Sequence, residues 1–479
     1  MKAKVLQKHL HLPPMFNGYD EPSNDGREEL VSLYEKLVKE QDSPFFDSDQ
    51  YEQITEFYLQ NDQIAKAKAV AEMAILQYPF CTGLLLHLAH IRIYDNKIHE
   101  ALEIADKIKL LEPLNPDVFV VLGNAYDEMG QYEKAIIQYE KALQVESEKD
   151  EIYVYMAYCY ENWDRYDKAI LVLKKAIKHN PNNEQALSEL AFCCDFSDKT
   201  EGIVDFLNQL IDENPYSFMA WYCLGTIHYK EDELDEAARC FDFSGIINEK
   251  YIPAHLNLGN IHYMQDEYEK AIDSFKKILE VSKDDIFALC YIANCYKAMG
   301  GSLRKSREFY KKALQVDNAF ADAWHGLGTT YQLDDNHQMA IDYFKKAIDH
   351  DHDDSNYWFS MAESYHELDS FKDAIDCYTK ALELENNNPL IVRGFALFLC
   401  DYEMYKEAKE IINETLSTHF EDIELHLIMA GVLLHLEVAH EAVFHLAEAK
   451  DLNEKAGEIF VELFPEQAGH YLVQEIFNL

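Results

Sequence analysis

Apolar and polar residues alternate with a helical period between Asn115 and Ser147, and the pattern is interrupted once, at Gly130. Before Gly130, apolar or small residues recur at spacings of 3, 1 and 3. At roughly 100° per residue, these positions share one face of a helix. The stretch therefore predicts two amphipathic α-helices joined by a turn. The face residues are Phe119, Leu122, Gly123 and Tyr126 in the first helix, and Ala135, Tyr139 and Ala142 in the second.

This helix pair recurs along the chain with a period of 34 residues. One unit, 286–320, has 35 residues because an additional residue lies near Gly300 and Gly301. Recurrence at a fixed period indicates an array in which each unit packs mainly on its neighbours. The twelve units begin at Ser48, Thr82, Pro116, Asp150, Glu184, Phe218, Ile252, Ile286, Ala321, Ser355, Pro389 and Ile423.

Two positions of the unit are reserved for small side chains. The eighth is Gly, Ala or Thr in every unit, and the twentieth is Ala in ten of the twelve. Small residues at fixed points let two helix axes approach closely, so that the ridges of one helix enter the grooves of the next. The pattern predicts an all-α protein.

The unit that begins at Ala321 has Trp, Leu-Gly and Tyr at fixed spacings, followed by Ala and Phe. This spacing resembles the tetratricopeptide repeat family, whose signature is W-x₂-L-G-x₂-Y, then A-x₃-F. The resemblance implies a right-handed α-solenoid of about twelve stacked helix-turn-helix units with a C-terminal capping segment. The chain looks like a long cytosolic array of this family, of which many are bacterial. The matching residues are Trp324, Leu327, Gly328, Tyr331, Ala340 and Phe344.

The array is expected to span residues 48–456. Residues 1–26 contain prolines and little periodicity, which predicts a flexible segment, and 27–47 are predicted to form an N-terminal capping helix. Residues 457–479 are rich in apolar side chains. They are predicted to form a helical cap over the last unit, because an end unit exposes an apolar face. A homodimer contact is the alternative interpretation of the same residues.

Net charge narrows the class of partner. The chain carries a formal charge of −44, which argues against DNA or RNA because phosphate would be repelled. The expected partner is a protein or peptide that is basic, neutral or apolar. No apolar run is long enough to insert into a membrane, and no secretory signal is recognisable, so a cytoplasmic location is expected.

Catalytic and metal-binding motifs do not emerge from the sequence. His440, Glu441 and His445 resemble a zinc-protease helix, but the histidines are five residues apart and would diverge around the helix. Phosphate-binding and nucleophile motifs are not found. Cysteines recur at repeat positions for small core residues, which is typical of buried thiols. We therefore expect no enzyme activity, no cofactor and no metal.

Binding is expected on the face that stacking leaves free. Positions 2, 5, 9, 12 and 13 of each first helix point away from the packed positions, and in the resembling family this face lines a concave groove. These positions are acidic near the N-terminus, aromatic and amide-rich in the middle, and mixed towards the C-terminus. Aromatic side chains are favoured at interface hot spots, and amides can bind a peptide backbone. The predicted binding residues are Tyr158, Phe192, Phe196, Tyr222, Tyr229, Asn260, Tyr263, Asn294, Lys297, His325 and Phe359.

Three functions fit this pattern. The first is a scaffold or adaptor that binds a peptide or protein segment in the groove. The second is a regulatory sensor whose superhelix changes shape on ligand binding, with unit 184–217 as a hinge because it departs from the repeat pattern. The third is a non-catalytic subunit of an enzyme complex.

Overall fold

The computed structural model of the chain describes residues 24–40, 45–146, 149–197 and 202–477. Within these ranges the secondary structure is helical and contains no strand. The chain divides into a first unit, Met1–Ala254, and a second unit, His255–Leu479. The helices of the first unit are α1 Asn24–Lys39, α2 Ser48–Gln60, α3 Ile64–Gln77, α4 Thr82–Tyr94, α5 Ile98–Leu111, α6 Pro116–Glu128, α7 Tyr132–Val145, α8 Asp150–Asn162, α9 Tyr166–His179, α10 Glu184–Phe196, α11 Ile203–Glu213, α12 Phe218–Lys230 and α13 Leu234–Ile247.

The next helix, α14 Ile252–Met264, begins at the last residues of the first unit. A 3₁₀ turn, Pro465–Gln467, lies between the last two helices. The remaining helices are α15 Tyr268–Val281, α16 Ile286–Ala298, α17 Leu303–Val316, α18 Ala321–Gln332, α19 His337–His350, α20 Ser355–Glu367, α21 Phe371–Leu384, α22 Pro389–Asp401, α23 Tyr405–Leu416, α24 Ile423–His435, α25 Ala439–Leu452, α26 Ala456–Leu463 and α27 Tyr471–Phe477.

Each pair from α2/α3 to α24/α25 forms one helix-turn-helix unit. The first helices begin at the twelve residues at which the 34-residue period places the unit starts. In both units of the chain, first helices pack on their own second helices and also on the first helices of neighbouring repeats. The prediction of an all-α array of stacked helix pairs is confirmed.

The turn inside each pair has a fixed backbone geometry. In eleven repeats the fifteenth residue adopts a left-handed conformation, and in the repeat that begins at Glu184 that position lies outside the described residues. Except in unit 286–320, where the Gly301 amide donates to the Met299 carbonyl, the amide of the next residue donates to the carbonyl five residues earlier, as Gln131 does to Tyr126 at 2.9 Å. This is the Schellman arrangement that ends a helix. The left-handed residues are Asp62, Asn96, Gly130, Asp164, Asp232, Asp266, Gly300, Asp335, Asp369, Glu403 and Glu437.

The small residue at position 8 makes room for an aromatic ring on the second helix. A Cβ added at Gly123 would lie 2.4 Å from the ring of Tyr139, and one at Gly259 would lie 2.5 Å from Phe275. Both rings are buried. The close approach of the two helices therefore depends on the absence of a side chain at these positions, as the sequence predicted.

Helix α1 covers the start of the array. It spans Asn24–Lys39 rather than the predicted 27–47, and most of the predicted flexible segment 1–26 lies outside the described residues. Val31 and Tyr34 are buried against the first repeat, whereas Leu33 is 48% exposed. Glu35 anchors the helix through Oε1, which accepts hydrogen bonds from Lys66 Nζ at 2.8 Å and Tyr58 Oη at 3.2 Å.

The C-terminal tail packs on the last repeat. Phe460, Phe464 and Val473 are buried, and the ring of Phe464 lies where a Cβ at Gly431 would be. The side chain of Gln467 donates to the carbonyl of Gly431 at 3.1 Å. Most of the apolar surface that suggested a dimer contact is used inside the chain.

The two repeats that depart from the sequence pattern differ locally. Residues 198–201 of unit 184–217 lie outside the described part of the chain. The end of α10, just before them, accepts hydrogen bonds from Lys230. Lys230 Nζ donates to the carbonyls of Cys194, Asp195 and Ser197 at 2.6, 3.0 and 2.8 Å. In unit 286–320 the additional residue lengthens only the turn between α16 and α17.

Candidate functional site

The candidate site lies on the first unit and is built by consecutive first helices. We call positions 2, 5, 9, 12 and 13 of α2, α4, α6, α8 and α10 the first-helix face. No Lys or Arg occupies any of these positions. Nine acidic residues lie there: Asp49, Glu52, Glu56, Asp117, Asp127, Glu128, Glu151, Glu161 and Asp195.

Two carboxylates approach each other between α8 and α10. Burial and the charge of Glu189 raise the pKa of Glu161 to about 8. Tyr158 donates its phenolic hydrogen to Glu189 Oε1 at 3.0 Å, and Gln185 Nε2 donates to Tyr158 Oη at 2.8 Å. A carboxyl that is buried beside another carboxyl favours its protonated form, and a cation placed nearby would reverse this preference.

A pocket of about 330 Å³ opens beside this cluster. Its lining combines carboxylate, amide, hydroxyl and aromatic groups, so it offers hydrogen-bond acceptors together with apolar surface. The lining residues are Tyr158, Glu184, Gln185, Ser188, Glu189, Met219 and Tyr251.

Cysteines hold several of these carboxylates in place. Cys193 Sγ donates to Glu161 Oε1 at 3.3 Å, and Cys81 Sγ donates to Glu52 Oε1 at 2.8 Å. Cys159 is hydrogen-bonded to Asp127 in the same way, and burial together with this carboxylate raises the thiol pKa. Asp127 and Glu161 both occupy position 12, and their cysteine partners both occupy position 10 of the following repeat.

The acidity of the face extends to its N-terminal end. Burial, with the charges of Glu146 and Glu112, raises the pKa of Asp117 to about 6. Burial also raises the pKa of Glu52 and Glu56. The positive charge of Arg27 on α1 acts against this rise at Glu56.

Exposed aromatic rings lie at the other end of the face. Phe192 is 44% exposed and Phe196 is 55% exposed, and their ring centroids are 4.8 Å apart. Tyr166 of α9 stacks on Phe196 with a centroid separation of 5.2 Å. The three rings form an aromatic cluster beside the carboxylates. The sequence predicted Phe192 and Phe196 but missed Tyr166, because Tyr166 belongs to a second helix.

The other predicted residues of the first unit serve different roles. Tyr229 is 44% exposed. Tyr222 is half-buried between Phe241 and Tyr251, whose ring centroids lie 5.5 and 5.1 Å away. Tyr222 is therefore used at least in part for packing within the chain.

In the second unit, two of the predicted polar residues, Asn294 and His325, have partners inside the chain. Asn294 accepts a hydrogen bond from Tyr310 Oη. His325 Nε2 lies 2.9 Å from Ser360 Oγ, and burial together with the charge of Lys297 lowers the His325 pKa to about 4. Burial also lowers the pKa of Lys297.

The aromatic predictions of the second unit divide between exposed and buried. Tyr263 is 37% exposed and packs edge-on against Tyr268, and Asn260 is half-buried. Phe359, in contrast, is only 8% exposed, and its ring lies 2.7 Å from where a Cβ at Gly394 would be. Phe359 fills space between adjacent repeats, so its selection as a groove residue does not fit its burial.

One group of side chains in the described ranges has a separation suited to metal coordination: His228, Glu231 and Glu233. His228 Nδ1 lies 2.6 Å from Glu233 Oε2, and one repeat later His262 lies 2.8 Å from Glu267 in the same way. Both pairs join position 11 to position 16, across the turn between two helices. This recurrence indicates that the pair stabilises the turn.

Sequence comparison matches the repeat unit directly. Tetratricopeptide repeat models match residues 252–285, 321–354 and 355–388. Each match covers one complete unit of the 34-residue period and one helix pair of the structure. The chain is a tetratricopeptide-repeat protein. A further model, described as "Anaphase-promoting complex, cyclosome, subunit 3", matches residues 128–199 of this tetratricopeptide array.

Among solved structures, the tetratricopeptide array is similar to a chain from the crystal structure of the APC/C hetero-tetramer Cut9-Hcn1. The sequence identity is 14%, the match covers 95% of this chain and 93% of that chain, and the TM-score is 0.38. A similarity at this level carries no argument about function. No curated protein matches the chain. Among the described residues, no helix has the length and apolar character needed to cross a membrane.

Proposed function

We propose that this tetratricopeptide-repeat protein is an interaction scaffold that binds an extended protein segment on the first-helix face of its first unit. The segment would carry basic residues next to apolar ones. The observation that carries the proposal is the raised pKa of Glu161, on a face without Lys or Arg and beside the exposed rings of Phe192 and Phe196. The protein would act in the cytoplasm without a cofactor and without making or breaking covalent bonds.

The electrostatics of the face favour a basic ligand. Glu161 and Glu189 are held close together by hydrogen bonds from Cys193 and Tyr158, so their repulsion is built into the fold. A Lys or Arg side chain from a ligand would replace this repulsion with attraction, and it would favour the charged form of Glu161. Binding would therefore weaken as salt screens the interaction.

The aromatic cluster supplies the apolar part of the site. Phe192 and Phe196 are 44% and 55% exposed, and aromatic rings provide large contact areas for little loss of conformational entropy. A ligand with an apolar residue a few positions from a Lys or Arg would reach both features. We expect these rings to be the residues whose truncation costs the most affinity.

A selection from a random peptide display library tests the proposal. The intact protein should enrich peptides that combine Lys or Arg with apolar residues. The double variant Phe192→Ala/Phe196→Ala should bind the selected peptides at least tenfold more weakly, with unchanged helix content by circular dichroism. Tyr216→Ala is the matched control, because Tyr216 is 80% exposed and does not belong to the first-helix face.

The charge requirement is tested separately. The double variant Glu161→Gln/Glu189→Gln should reduce affinity for the selected peptides and flatten its salt dependence. Enrichment of acidic peptides, or equal binding by the Phe192→Ala/Phe196→Ala variant, would place the binding site elsewhere on the protein.

A further inference from the structure

We propose that residues 1–19 of this chain bind to the first-helix face of its first unit and compete there with external ligands. The inference rests on the proposed function, because it assigns a first occupant to the same face. Residues 1–19 precede the described part of the chain.

The charge of the segment is opposite to that of the face. Residues 1–19 contain Lys2, Lys4 and Lys8 and no Asp or Glu, in a chain whose formal net charge is −44. The first acidic residue is Asp20. The segment also contains apolar residues that suit the aromatic cluster: Val5, Leu6, Leu10, Leu12, Met15 and Phe16. It therefore has the composition that the proposed ligand requires.

The segment joins the fold at the edge of the same face. Helix α1 begins at Asn24, and the charge of Arg27, one turn later, acts directly on Glu56. Glu56 occupies position 9 of the first repeat and so belongs to the first-helix face. Arg27 Nε is buried and has no hydrogen-bond partner among the described residues. The chain thus enters α1 beside the acidic end of the face and already places one cation there.

The length of the segment is sufficient. An extended chain covers at most about 3.3–3.6 Å per residue, so the residues before Asn24 can reach roughly 75 Å. The face runs from α2 to α10 over four contacts between successive first helices. At about 8–10 Å for each pair of packed helix axes, this distance is roughly 40 Å. Residues 1–19 can therefore pass the carboxylates and reach Phe192 and Phe196.

Attachment to the same chain makes this occupant effective even when its intrinsic affinity is modest. A tethered segment is present at an effective concentration in the millimolar range when the linker matches the distance. An external ligand must therefore displace the segment. The apparent affinity of the ligand is its intrinsic affinity multiplied by the fraction of chains whose face is unoccupied. Removal of the segment should strengthen the binding of external peptides.

The test uses a fluorescein-labelled synthetic peptide of residues 1–19 and measures fluorescence anisotropy. The probe should bind a chain that lacks residues 1–23, and it should bind the intact chain at least tenfold more weakly. Binding to the shortened chain should weaken between 50 and 300 mM salt, as expected for about three charge pairs. The full-length variant Lys2→Glu/Lys4→Glu/Lys8→Glu should behave like the shortened chain, which separates the effect of charge from any effect of the deletion on α1.

Three outcomes would overturn the inference. The probe could fail to bind the shortened chain, or it could bind the shortened and intact chains equally. It could also bind a shortened chain carrying Phe192→Ala/Phe196→Ala without loss, which would place the segment elsewhere. A dimer of the intact chain that dissociates on deletion, measured by sedimentation, would show that the segment binds a second copy instead.

The library-selected peptides distinguish this failure from failure of the proposed function. If they bind the shortened chain and the 1–19 probe does not, only the further inference is wrong. If neither binds in a manner that depends on Phe192 and Phe196, the proposed function fails as well.

Discussion

Tyr139 donates its phenolic hydrogen to the side-chain oxygen of Asn124 at 2.7 Å. Tyr310 donates in the same way to Asn294, at the equivalent positions of unit 286–320, where the additional residue lies between the two. The amide oxygen of each asparagine is therefore committed to the second helix of its own repeat. The amide nitrogen and one lone pair of the oxygen remain for a ligand, so these asparagines can donate to a peptide carbonyl but have less capacity to accept from a peptide N–H.

Removal of this hydrogen bond should loosen one repeat. Tyr139→Phe leaves the ring in place and removes the hydroxyl, which should cost about 1 kcal/mol of stability. Hydrogen exchange should become faster in α6 and α7 while the second unit is unchanged. The control is Phe275→Tyr, which offers Asn260 the hydroxyl that its repeat lacks. Unchanged exchange after Tyr139→Phe would mean that the bond contributes nothing to packing.

Glu161 should make stability depend on pH. Its pKa of about 8 in the folded chain lies above the value of about 4.3 for an unfolded glutamate. Between pH values equal to these two pKa values, Glu161 is protonated in the folded state and ionised in the unfolded state. Stability is therefore highest below the unfolded pKa and decreases as pH rises towards 8. Glu161→Gln keeps a neutral side chain at every pH. At pH 8.5 it should be more stable than the wild type by at least about 1.4 kcal/mol, the equivalent of one pKa unit.

The measurement is the midpoint of urea unfolding at pH 5 and pH 8.5, followed by circular dichroism. The gain from Glu161→Gln should be much smaller at pH 5. Glu128→Gln is the control, because Glu128 is an exposed carboxylate of the neighbouring repeat. An equal gain at both pH values would show that the Glu161 pKa is not raised in the folded chain.

At the left-handed turn position, replacing glycine should lower the stability of a repeat, and introducing glycine should raise it. Gly130→Ala places a Cβ where φ is +67°, which should destabilise its repeat by about 1 kcal/mol. Glu437→Gly removes a Cβ at φ +58° and should stabilise its repeat by a few tenths to 1 kcal/mol. Thermal unfolding of the two variants measures both effects. Gly301→Ala is the control, since a Cβ there meets no atom within 4 Å and φ is not left-handed.

Lys230 should stabilise the end of α10. Lys230→Met retains an apolar stem but removes the cation that binds three carbonyls at this helix end. Charge-assisted hydrogen bonds of this kind contribute about 1.5–3 kcal/mol. Exchange of the last amides of α10 should accelerate, and unit 184–217 should become more mobile than its neighbours. Lys178→Met, at an exposed lysine of α9, should leave α10 unchanged.

Most of the fold could be predicted because stacking depends on residues at fixed separations. Gly123 packs against Tyr139 in one unit, and Gly259 packs against Phe275 in the same way in another. The packing of one unit therefore predicts the packing of the others. The bounds of α1 could not be obtained in this way, because α1 lies outside the period and has no second copy. Leu33 of that helix is exposed, since only one side of α1 meets the array.

The candidate site was harder to predict for a physical reason. Helical periodicity identifies the side of a first helix on which a residue lies, but not the side chains that reach it from other elements. Phe359 is buried because Gly394 of the next repeat leaves space for its ring. The acidic character of the face was visible in the sequence, whereas the approach of Glu189 to Glu161 depends on how two successive helices pack.

The thiols that donate to the carboxylates have a consequence for handling the protein. All ten cysteines are free, and nine are buried. The thiolate is the form that reacts with oxidants and alkylating reagents, and burial raises the pKa of Cys159, Cys193 and Cys81. The folded chain should therefore be slow to form cross-links in air and slow to react with maleimide dyes. Attachment of a dye for single-molecule work will require an engineered cysteine on an exposed helix.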